Sequence, residues 1–397
     1  MALRDTFAHV ENLTYRLRAA STLLGVTDNT LRGYSDTAGI HIRRASDLQP
    51  DAPAIRIFDP ETLFQLAQWR RQQGYLKSPK RGSGLKTAQH TIKDGQAKDL
   101  NDRQGMPVVV TIDVIKGGTG KTTTAVELSV HLQLNGLRCL LIDLDVQANA
   151  TAMMGYEADF TAEEAQAYAL SDRAIVRHTL ANVLIPYLEN RRSNSTHHSI
   201  PEEVIKKPFG EHGPHLIPAD TYLSDVEQTI ILERGPRELT IRTLLEDAAM
   251  GRIKGLDLSG YDVILFDCPP NVSFTSTAAL AASDIVVAPV RLDAYSVKGL
   301  NKLVSEINAL SKAYNLYPDL VILPTHYAPR LDRIGRMQAK LDHYKNALAP
   351  CVINASEEFP KSLDGYLPIT LQKPTSNAAQ EYRMFADFMY NKIVQMD

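Results

Sequence analysis

The sequence predicts an α/β protein whose main domain is a doubly wound, mostly parallel sheet, preceded by a smaller helical domain. Short apolar runs rich in β-branched residues recur from Pro107 onward, and segments of helix length separate them. These runs occupy residues 108–115, 137–145, 261–267, 284–290 and 319–325. Strands that are apolar throughout, rather than alternating, indicate a parallel sheet covered by helices on both faces.

Length and composition predict more than one domain. The chain has 397 residues, of which 44% are hydrophobic, and a chain of this length exceeds what one hydrophobic core usually holds. We predict an N-terminal domain over residues 1–80, a polar linker or exposed helix over 81–106, and a large α/β domain over 107–397 with an insertion over 157–214. The boundaries follow from the polar stretch before Pro107, which has few large apolar residues.

Charge, cysteine content and hydropathy narrow the class of protein. A net charge of −3 excludes a strongly basic histone-like protein and a polyanionic tail. Three widely separated cysteines provide neither a disulfide framework nor a CxxC metal site. The N-terminus lacks the apolar core of a signal peptide, and no run approaches the length of a membrane span. We therefore expect a cytoplasmic protein that has no membrane partner.

A glycine-rich loop between a predicted strand and a predicted helix is the most specific motif. The loop consists of Lys116, Gly117, Gly118, Thr119, Gly120, Lys121, Thr122 and Thr123. Glycines let backbone N–H groups converge on phosphate oxygens, Lys121 can reach the β and γ phosphates, and the Thr122 hydroxyl can bind Mg²⁺. The strict GxxxxGK[ST] pattern fails at Ile115, and a turn that binds nothing is the alternative, but the strand before and the helix after the loop favour a nucleotide site.

Acidic residues end two of the predicted strands. Asp143 and Asp145 close the second strand on one side of it, and Asp267 closes the third. Open α/β sheets bind ligands at this edge. A hard cation that bridges phosphates needs few carboxylates, so one acid can serve Mg²⁺ while another positions the attacking water. The alternative is that these acids only cap the following turns.

These segments resemble the deviant Walker A ATPases and, within them, the ParA partition ATPases. The resemblance is carried by KGGTGKTT at 116–123, DLD at 143–145 and DCPP at 267–270. It implies ATP as substrate and Mg²⁺ as cofactor, with the metal near Thr122, Asp143 and Asp267. It also implies that Asp145 positions the water, although Val146 replaces the usual proline after it.

The resemblance further implies a homodimer. In the ParA family, the lysine that corresponds to Lys116 acts across a dimer that encloses nucleotide, so Lys116 joins Lys121 and Asp145 as a predicted catalytic residue. A solvated loop lysine is the alternative for Lys116. The family also implies a ParB-like centromere-binding partner, non-specific binding to nucleoid DNA, and a cytoplasmic, nucleoid-associated location.

The N-terminal region contains a candidate helix-turn-helix. Small residues precede Gly25, which suits a tight turn, and Thr27 is a good N-cap for a second helix. That helix would present Thr27, Asn29, Thr30 and Arg32 to DNA, and an ordinary helical hairpin is the alternative. The following residues 55–58 are expected to form a short strand pair before a helix that ends basic, an order similar to winged domains of the MerR type and of large ParA proteins.

Several basic residues have two interpretations. They are Arg70, Arg71, Lys77, Lys80 and Arg81 near the N-terminal domain and Arg330, Arg333 and Arg336 in the second domain. Each can contact DNA phosphates or belong to a solvated basic face. The base of the nucleotide is expected near Thr325 and His326, and the guanine-reading NKxD motif does not occur in the sequence.

The sequence leaves more than one function open. The first hypothesis is an ATP-hydrolysing DNA segregation protein that also represses its own operon through the helix-turn-helix. The alternative is a transcriptional regulator whose DNA affinity is switched by nucleotide, without a segregation role. A third class, such as a membrane-site selector or an iron-sulfur reductase, is disfavoured by the weakly basic C-terminus and the few cysteines.

Overall fold

A computed structural model describes residues 13–77, 106–167, 174–193, 198–201, 203–233, 235–291, 294–326 and 341–396. Almost the whole predicted linker, Lys80, Arg81, Arg330, Arg333 and Arg336 therefore lie outside the described residues. Within the described ranges, no helix is both long and apolar enough to cross a membrane.

A six-stranded parallel sheet forms the centre of the molecule. The strands of the chain are β1 Tyr15–Arg16, β2 Ile57–Phe58, β3 Val108–Ile112, β4 Cys139–Asp143, β5 His198–Ser199, β6 His215–Ile217, β7 Ile253–Lys254, β8 Val263–Asp267, β9 Ile285–Arg291 and β10 Asp319–Thr325. The central sheet has the order β10-β9-β3-β8-β4-β6, and every neighbouring pair in it is parallel. All five predicted strands are present, so the doubly wound fold is confirmed. The short edge strand β6 was not predicted.

Helices cover both faces of this sheet. The α-helices of the described residues are α1 Leu17–Leu24, α2 Asp28–Thr37, α3 Ala45–Leu48, α4 Pro60–Gln72, α5 Lys121–Leu134, α6 Asn149–Met153, α7 Ala162–Ala167, α8 Ala181–Arg192, α9 Leu223–Ile231, α10 Thr240–Ala249, α11 Phe274–Ala282, α12 Ala294–Tyr314, α13 Glu358–Asp364, α14 Ile369–Gln372 and α15 Asn377–Gln395. Leu141 and Leu265 belong to the hydrophobic core that contains α5 and α15, whereas Leu140 and Ile264 belong to the core that contains α9, α10 and α11. Successive strand residues therefore bury opposite faces.

The N-terminal helices follow the predicted turn chemistry. Gly25 ends α1 in the left-handed region at φ 66°, where glycine has no steric penalty. The Thr27 hydroxyl accepts a hydrogen bond from the Thr30 N–H at 3.1 Å, which confirms the predicted N-cap of α2. Strand β2 pairs antiparallel with β1 at the start of the region instead of forming a local hairpin. A helix pair is thus present, and the winged helix-turn-helix assignment stays a prediction.

The N-terminal helices share a hydrophobic core with the sheet domain. Buried residues of α1 and α4 belong to the same cluster as residues of α5 and α15. The Tyr15 hydroxyl donates to the Leu371 carbonyl at 2.6 Å, and the Tyr390 hydroxyl donates to the Lys77 carbonyl at 2.7 Å. The N-terminal region is therefore packed against the sheet domain by apolar contacts and hydrogen bonds. The boundaries at 80 and 107 remain predictions.

Two arginines that the sequence offered as phosphate contacts have structural partners instead. Arg70 is buried and donates to the Leu24 carbonyl at 2.8 Å. Arg71 forms a bidentate ion pair with Asp262 and also donates to the Gly136 carbonyl at 3.2 Å. The phosphate-contact hypothesis is wrong for this pair, because a guanidinium held in this way inside the protein is not presented to DNA.

Candidate functional site

The glycine-rich loop joins the end of β3 to the start of α5. Gly118 and Gly120 have φ of 68° and 88°, a region that residues with a side chain rarely adopt. A Cβ atom added at Gly118 would meet no atom within 4 Å, so the loop faces open space at that point. The Thr325 hydroxyl at the end of β10 donates to the Thr119 carbonyl at 2.7 Å. This arrangement presents backbone N–H groups at a helix N-terminus, which suits an anion such as phosphate.

Lys121 lies buried in the first turn of α5. Its ammonium group donates to the Lys116 carbonyl at 2.8 Å and to the Val114 carbonyl at 3.3 Å. Burial lowers the pKa of Lys121, and the nearby carboxylates of Asp113, Asp267 and Asp145 oppose that shift. The loop therefore holds a buried cation on backbone carbonyls, which are weaker partners than phosphate oxygens. The backbone of Lys116 is part of this contact, and its side chain is half-buried.

Asp267 ends β8 near Thr122 and Lys121 of the loop. The strand register pairs it with Asp143 on one side and with Ile112 on the other. Asp267 is fully buried, and within the described residues no donor reaches full hydrogen-bonding geometry with either carboxylate oxygen, although the Thr122 hydroxyl is near enough to lower its pKa. Burial raises its pKa well above the usual range and Asp143 adds to that increase, whereas Thr122 and Lys121 oppose it. Buried carboxylate oxygens without donors are rare and costly, so they indicate a site for a cation.

The residues at this position fit a Mg²⁺ ion that is bound together with nucleotide phosphates. Asp267 supplies oxygens without donors, and the Thr122 side chain is close enough to affect its pKa. Within the described ranges, no group of three or more His, Cys, Asp or Glu side chains could hold a metal ion. A Mg²⁺ ion here would therefore take most of its ligands from phosphates and water, as this ion commonly does.

Asp143 and Asp145 organise the loop that follows β4. The Asp143 carboxylate accepts hydrogen bonds from the Thr151 N–H and hydroxyl and from the Asp145 N–H. Burial raises the pKa of Asp143 to about 6, and these hydrogen bonds oppose the shift. Asp145 accepts from the Gln147 N–H at 3.0 Å and is 7% exposed. Asp143 thus has a structural task in the loop, and its place near a metal stays a prediction.

A cavity of about 200 Å³ opens beside the glycine-rich loop. Its lining residues are Gly118, Gly120, Thr123, Thr325, His326, Ile353, Phe359 and Tyr382. The Phe359 ring lies 6.0 Å from the His326 ring and 6.3 Å from the Tyr382 ring, centroid to centroid. The sequence pointed to Thr325 and His326 only. It missed Phe359 and Tyr382 because they come from the C-terminal helices, which no motif links to the loop.

Asp113 is a further buried acid that the sequence analysis did not single out. It follows β3 and is 2% exposed. Burial raises its pKa to about 7, the Lys121 charge opposes this increase, and Glu306 adds to it. Its position directly after an apolar strand, in the same way as Asp143 and Asp267, was the available signal.

The predicted DNA-contacting residues lie on α2 and its N-cap, away from the cavity lining. Arg32 and Asn29 are exposed and joined by a hydrogen bond of 2.9 Å between the guanidinium and the amide oxygen. The Thr27 and Thr30 hydroxyls are 2.8 Å apart and take part in the N-cap. The structure therefore brings these four residues together on one helix end.

A parallel sheet with this strand order, a glycine-rich loop leading into a helix, a buried lysine and a strand-end aspartate define a P-loop nucleotide-binding protein. A family model described as an AAA domain matches residues 108–321, which is more than half of the chain. The chromosome-partitioning ATPase Soj of Thermus thermophilus is 30% identical over 274 residues, which cover 68% of this chain and 91% of that protein. The chain belongs to the ParA family of partition ATPases.

Solved structures show the same fold. A putative plasmid partition protein of Borrelia burgdorferi, bound to AMPPNP, superposes with a TM-score of 0.51 at 20% identity, covering 72% of this chain and 99% of that chain. Cobyrinic acid a,c-diamide synthase of Mycobacterium smegmatis, with a bound ATP analog and magnesium, also gives a TM-score of 0.51 at 22% identity, covering 72% of this chain and 94% of that chain. At these identities the likeness concerns the fold alone.

Proposed function

We propose that this protein hydrolyses ATP in a Mg²⁺-dependent reaction and uses the cycle to segregate DNA together with a ParB-like partner. The observation that carries the proposal is the buried Asp267 carboxylate, which lies near Thr122 and Lys121 of the glycine-rich loop and has no donor in full hydrogen-bonding geometry among the described residues. Such a group destabilises the fold unless a ligand uses it. The family of the chain supports the partition role.

Each residue of the site has a task in hydrolysis. Lys121 exchanges its carbonyl partners for β and γ phosphate oxygens, since charge-assisted bonds are stronger. Thr122 and Asp267 would hold the metal, with Asp143 behind them, and when bound Mg²⁺ neutralises charge that develops on the phosphates. Asp145, in the loop that follows β4, would orient the attacking water.

The cavity beside the loop fits the base of the nucleotide. It adjoins Gly118 and Gly120, so a base placed there continues from phosphates held by the loop. Phe359 and Tyr382 offer aromatic walls, and the buried Nδ1 atom of His326 has no hydrogen-bond partner among the described residues. Aromatic walls with a few polar groups are typical of small-molecule and cofactor sites, and a flat purine base suits such walls.

Lys116 is proposed to act across a homodimer that encloses two ATP molecules. Its backbone carbonyl already accepts the Lys121 bond within its own chain, and its side chain lies next to the exposed Gly117. A second lysine at this position adds positive charge to a phosphate site that already has one. In this arrangement each active site is complete only when two chains meet.

A mixing experiment tests this arrangement. In a heterodimer of a Lys116→Ala chain and a Lys121→Ala chain, a cross-subunit role for Lys116 concentrates both lesions in one site and leaves the other intact. A role within one chain damages both sites. We expect each variant alone to be inactive and the mixture to regain hydrolysis. No recovery in a heterodimer shown to form contradicts the cross-subunit role.

DNA binding is proposed at two levels. The exposed end of α2, with Thr27, Asn29, Thr30 and Arg32, would read an operator and repress the operon of the protein itself. The ATP-bound dimer would hold nucleoid DNA without sequence preference, and hydrolysis stimulated by the partner would release it. For such a cycle we propose a cytoplasmic location in association with the nucleoid.

A transcriptional regulator switched by nucleotide is the second candidate. The observation that favours it is the shared core of the N-terminal helices and the sheet domain, which makes the DNA-binding surface part of the ATPase body. The two candidates differ in the partner. Stimulation of ATP hydrolysis by the ParB-like protein of the same operon is expected for segregation, and its absence would favour the regulator.

A further inference from the structure

Two consecutive residues of α15 contact the cavity and the N-terminal helix pair formed by α1 and α2. Tyr382 is buried, lines the cavity, and its hydroxyl lies 3.1 Å from the Thr124 hydroxyl in the first turns of α5. Arg383 points the other way and donates to the Thr22 carbonyl, at the end of α1, at 2.5 Å. One helix turn therefore connects the cavity with the helix pair formed by α1 and α2.

The turn between α1 and α2 is shaped around Arg383. The N–H groups of Gly25 and Val26 bond to the Thr22 and Ser21 carbonyls, which closes α1. A Cβ atom added at Gly25 would lie 1.8 Å from the Arg383 guanidinium. Arg70 supplies a second guanidinium to the same helix end through the Leu24 carbonyl. Cations stabilise a helix C-terminus because its last carbonyl groups lack partners within the helix and carry partial negative charge.

A ligand in the cavity can affect the turn at Gly25 through helix α15. A ligand in the cavity contacts Tyr382, and Arg383 shares the backbone of the same rigid helix. A ligand that shifts the α15 backbone at Tyr382 would therefore also shift the Arg383 guanidinium over Thr22 and Gly25. Coupling between sites needs such a contiguous element, which both sites can bias.

We propose that Tyr382 and Arg383 couple nucleotide binding in the cavity to the helix pair, with Arg383 as the residue that positions the turn at Gly25. The inference rests on the proposed function, because it takes the cavity to hold the base of ATP. By linkage, DNA bound to the helix pair changes nucleotide affinity by the same factor.

Hydrogen exchange measured on the full chain tests the coupling. Peptides that cover residues 17–34 are followed with and without ATP and Mg²⁺, and ATP affinity is measured by calorimetry on the same samples. We expect ATP to slow exchange in these peptides in the wild type, and we expect R383Q to reduce that effect by about fivefold or more while ATP still binds.

Two variants make the test specific. Asp387 forms an ion pair with Arg383 at 4.0 Å and accepts a hydrogen bond from the Asn135 amide at 3.0 Å, so D387N removes the ion pair, retains an amide oxygen for Asn135 and leaves the Thr22 bond in place. D387N should therefore keep the wild-type response. Y382F removes only the hydroxyl beside Thr124, keeps the ring in the cavity, and should weaken the response without abolishing ATP binding.

The outcomes are distinguishable. If ATP binds but exchange over 17–34 does not change, or if R383Q keeps the full response, the coupling proposal is wrong and the ATPase proposal stands. If ATP does not bind to the wild type, both proposals are wrong. An R383Q chain that no longer folds is recognised by lost protection throughout the sheet, and Y382F with an unchanged response then contradicts the coupling.

Discussion

Strand β8 has a buried aspartate at each end, and the two carboxylates differ in their hydrogen-bond partners. Asp262, just before the strand, accepts two bonds from Arg71 and one from the Arg138 N–H. Asp267, at the other end, has no donor on either oxygen among the described residues. Both side chains are buried. The paired acid joins the N-terminal helices to the sheet, whereas the unpaired acid lies where a ligand is expected.

The difference indicates which buried charged side chains of this protein stabilise the fold and which are available to bind a ligand. A buried carboxylate costs free energy, and a full set of donors offsets that cost. Where the chain supplies the donors, as at Asp262, removal of a partner should harm stability. Where the chain leaves a buried charge without an oppositely charged or fully bonded partner, as at Asp267, or bonds it only to neutral carbonyls, as at Lys121, substitution should harm ligand binding or turnover instead. The following predictions test this contrast.

Lys121→Ala should have the largest effect. It removes the buried cation that faces the phosphates, so we expect ATP affinity to fall by at least about a hundredfold, while the fold persists. Calorimetry with ATP and Mg²⁺ measures the affinity, and circular dichroism checks the fold. Unchanged affinity would show that the glycine-rich loop does not bind nucleotide.

Arg71→Ala tests the paired end of β8. It leaves Asp262 buried with only the Arg138 N–H, so we expect the free energy of unfolding in urea to fall by about 3 kcal/mol. Arg43→Ala is the matched control, because the Arg43 side chain is 49% exposed and lies 3.7 Å from Asp59. The control should cost less than about 1 kcal/mol. Equal losses in the two variants would contradict the structural role of the Arg71 pair.

Asp145→Ala should separate binding from chemistry. Alignment of water acts mainly in the transition state, so we expect turnover to fall by about a hundredfold with little change in ATP affinity. Steady-state hydrolysis and calorimetry on the same preparation measure both quantities. Normal turnover would move the water-positioning role to another residue, with Asp143 the first candidate.

His131→Gln tests a buried hydrogen-bonded cluster between α5 and α14. Thr370 bonds to both Glu127 and His131 inside the core, so the cluster is structural and ATP affinity should not change. Burial lowers the pKa of His131 to about 3, with the Arg383 charge adding to the shift. Because His131 stays neutral in the folded protein but takes up a proton in the unfolded chain below about pH 6.5, protonation favours the unfolded chain. The protein therefore loses stability as the pH falls from about 6.5 towards the folded-state pKa of about 3.

A glutamine side chain does not titrate, so the difference in free energy of unfolding between the wild type and His131→Gln should change by about 2 kcal/mol in favour of the wild type when the pH is raised from 5 to 7. Urea unfolding at the two pH values measures the difference. A constant difference between the variant and the wild type would show that His131 is not held neutral by burial.

Arg32→Ala should have the smallest effect. Arg32 is exposed and already shares its guanidinium with Asn29, so we expect operator affinity to fall by roughly 1 kcal/mol, at the low end for a base contact. Binding to operator DNA and to a random duplex of equal length should be compared. An equal loss on both duplexes would make Arg32 a phosphate contact.

Much of the fold and half of the site follow from short stretches of sequence. The five long strands are continuous apolar runs, the loop is a contiguous motif, and Asp143, Asp145 and Asp267 stand where strands end. Backbone geometry translates such local patterns directly into position, because the carboxyl ends of parallel strands meet at one edge of the sheet. The N-cap at Thr27 belongs to the same group, since its bond spans only three residues.

Only the tertiary structure decided the contacts between distant segments. Tyr382 contacts Thr124 at a sequence separation of 258 residues, and Arg71 contacts Asp262 at a separation of 191. No local sequence pattern predicts either pairing. The pairing of β2 with β1 and the arrival of Phe359 at the cavity are of the same kind. These contacts depend on how helices pack over the sheet, and that packing is set by the shape of the whole core rather than by the residues on either side of each partner.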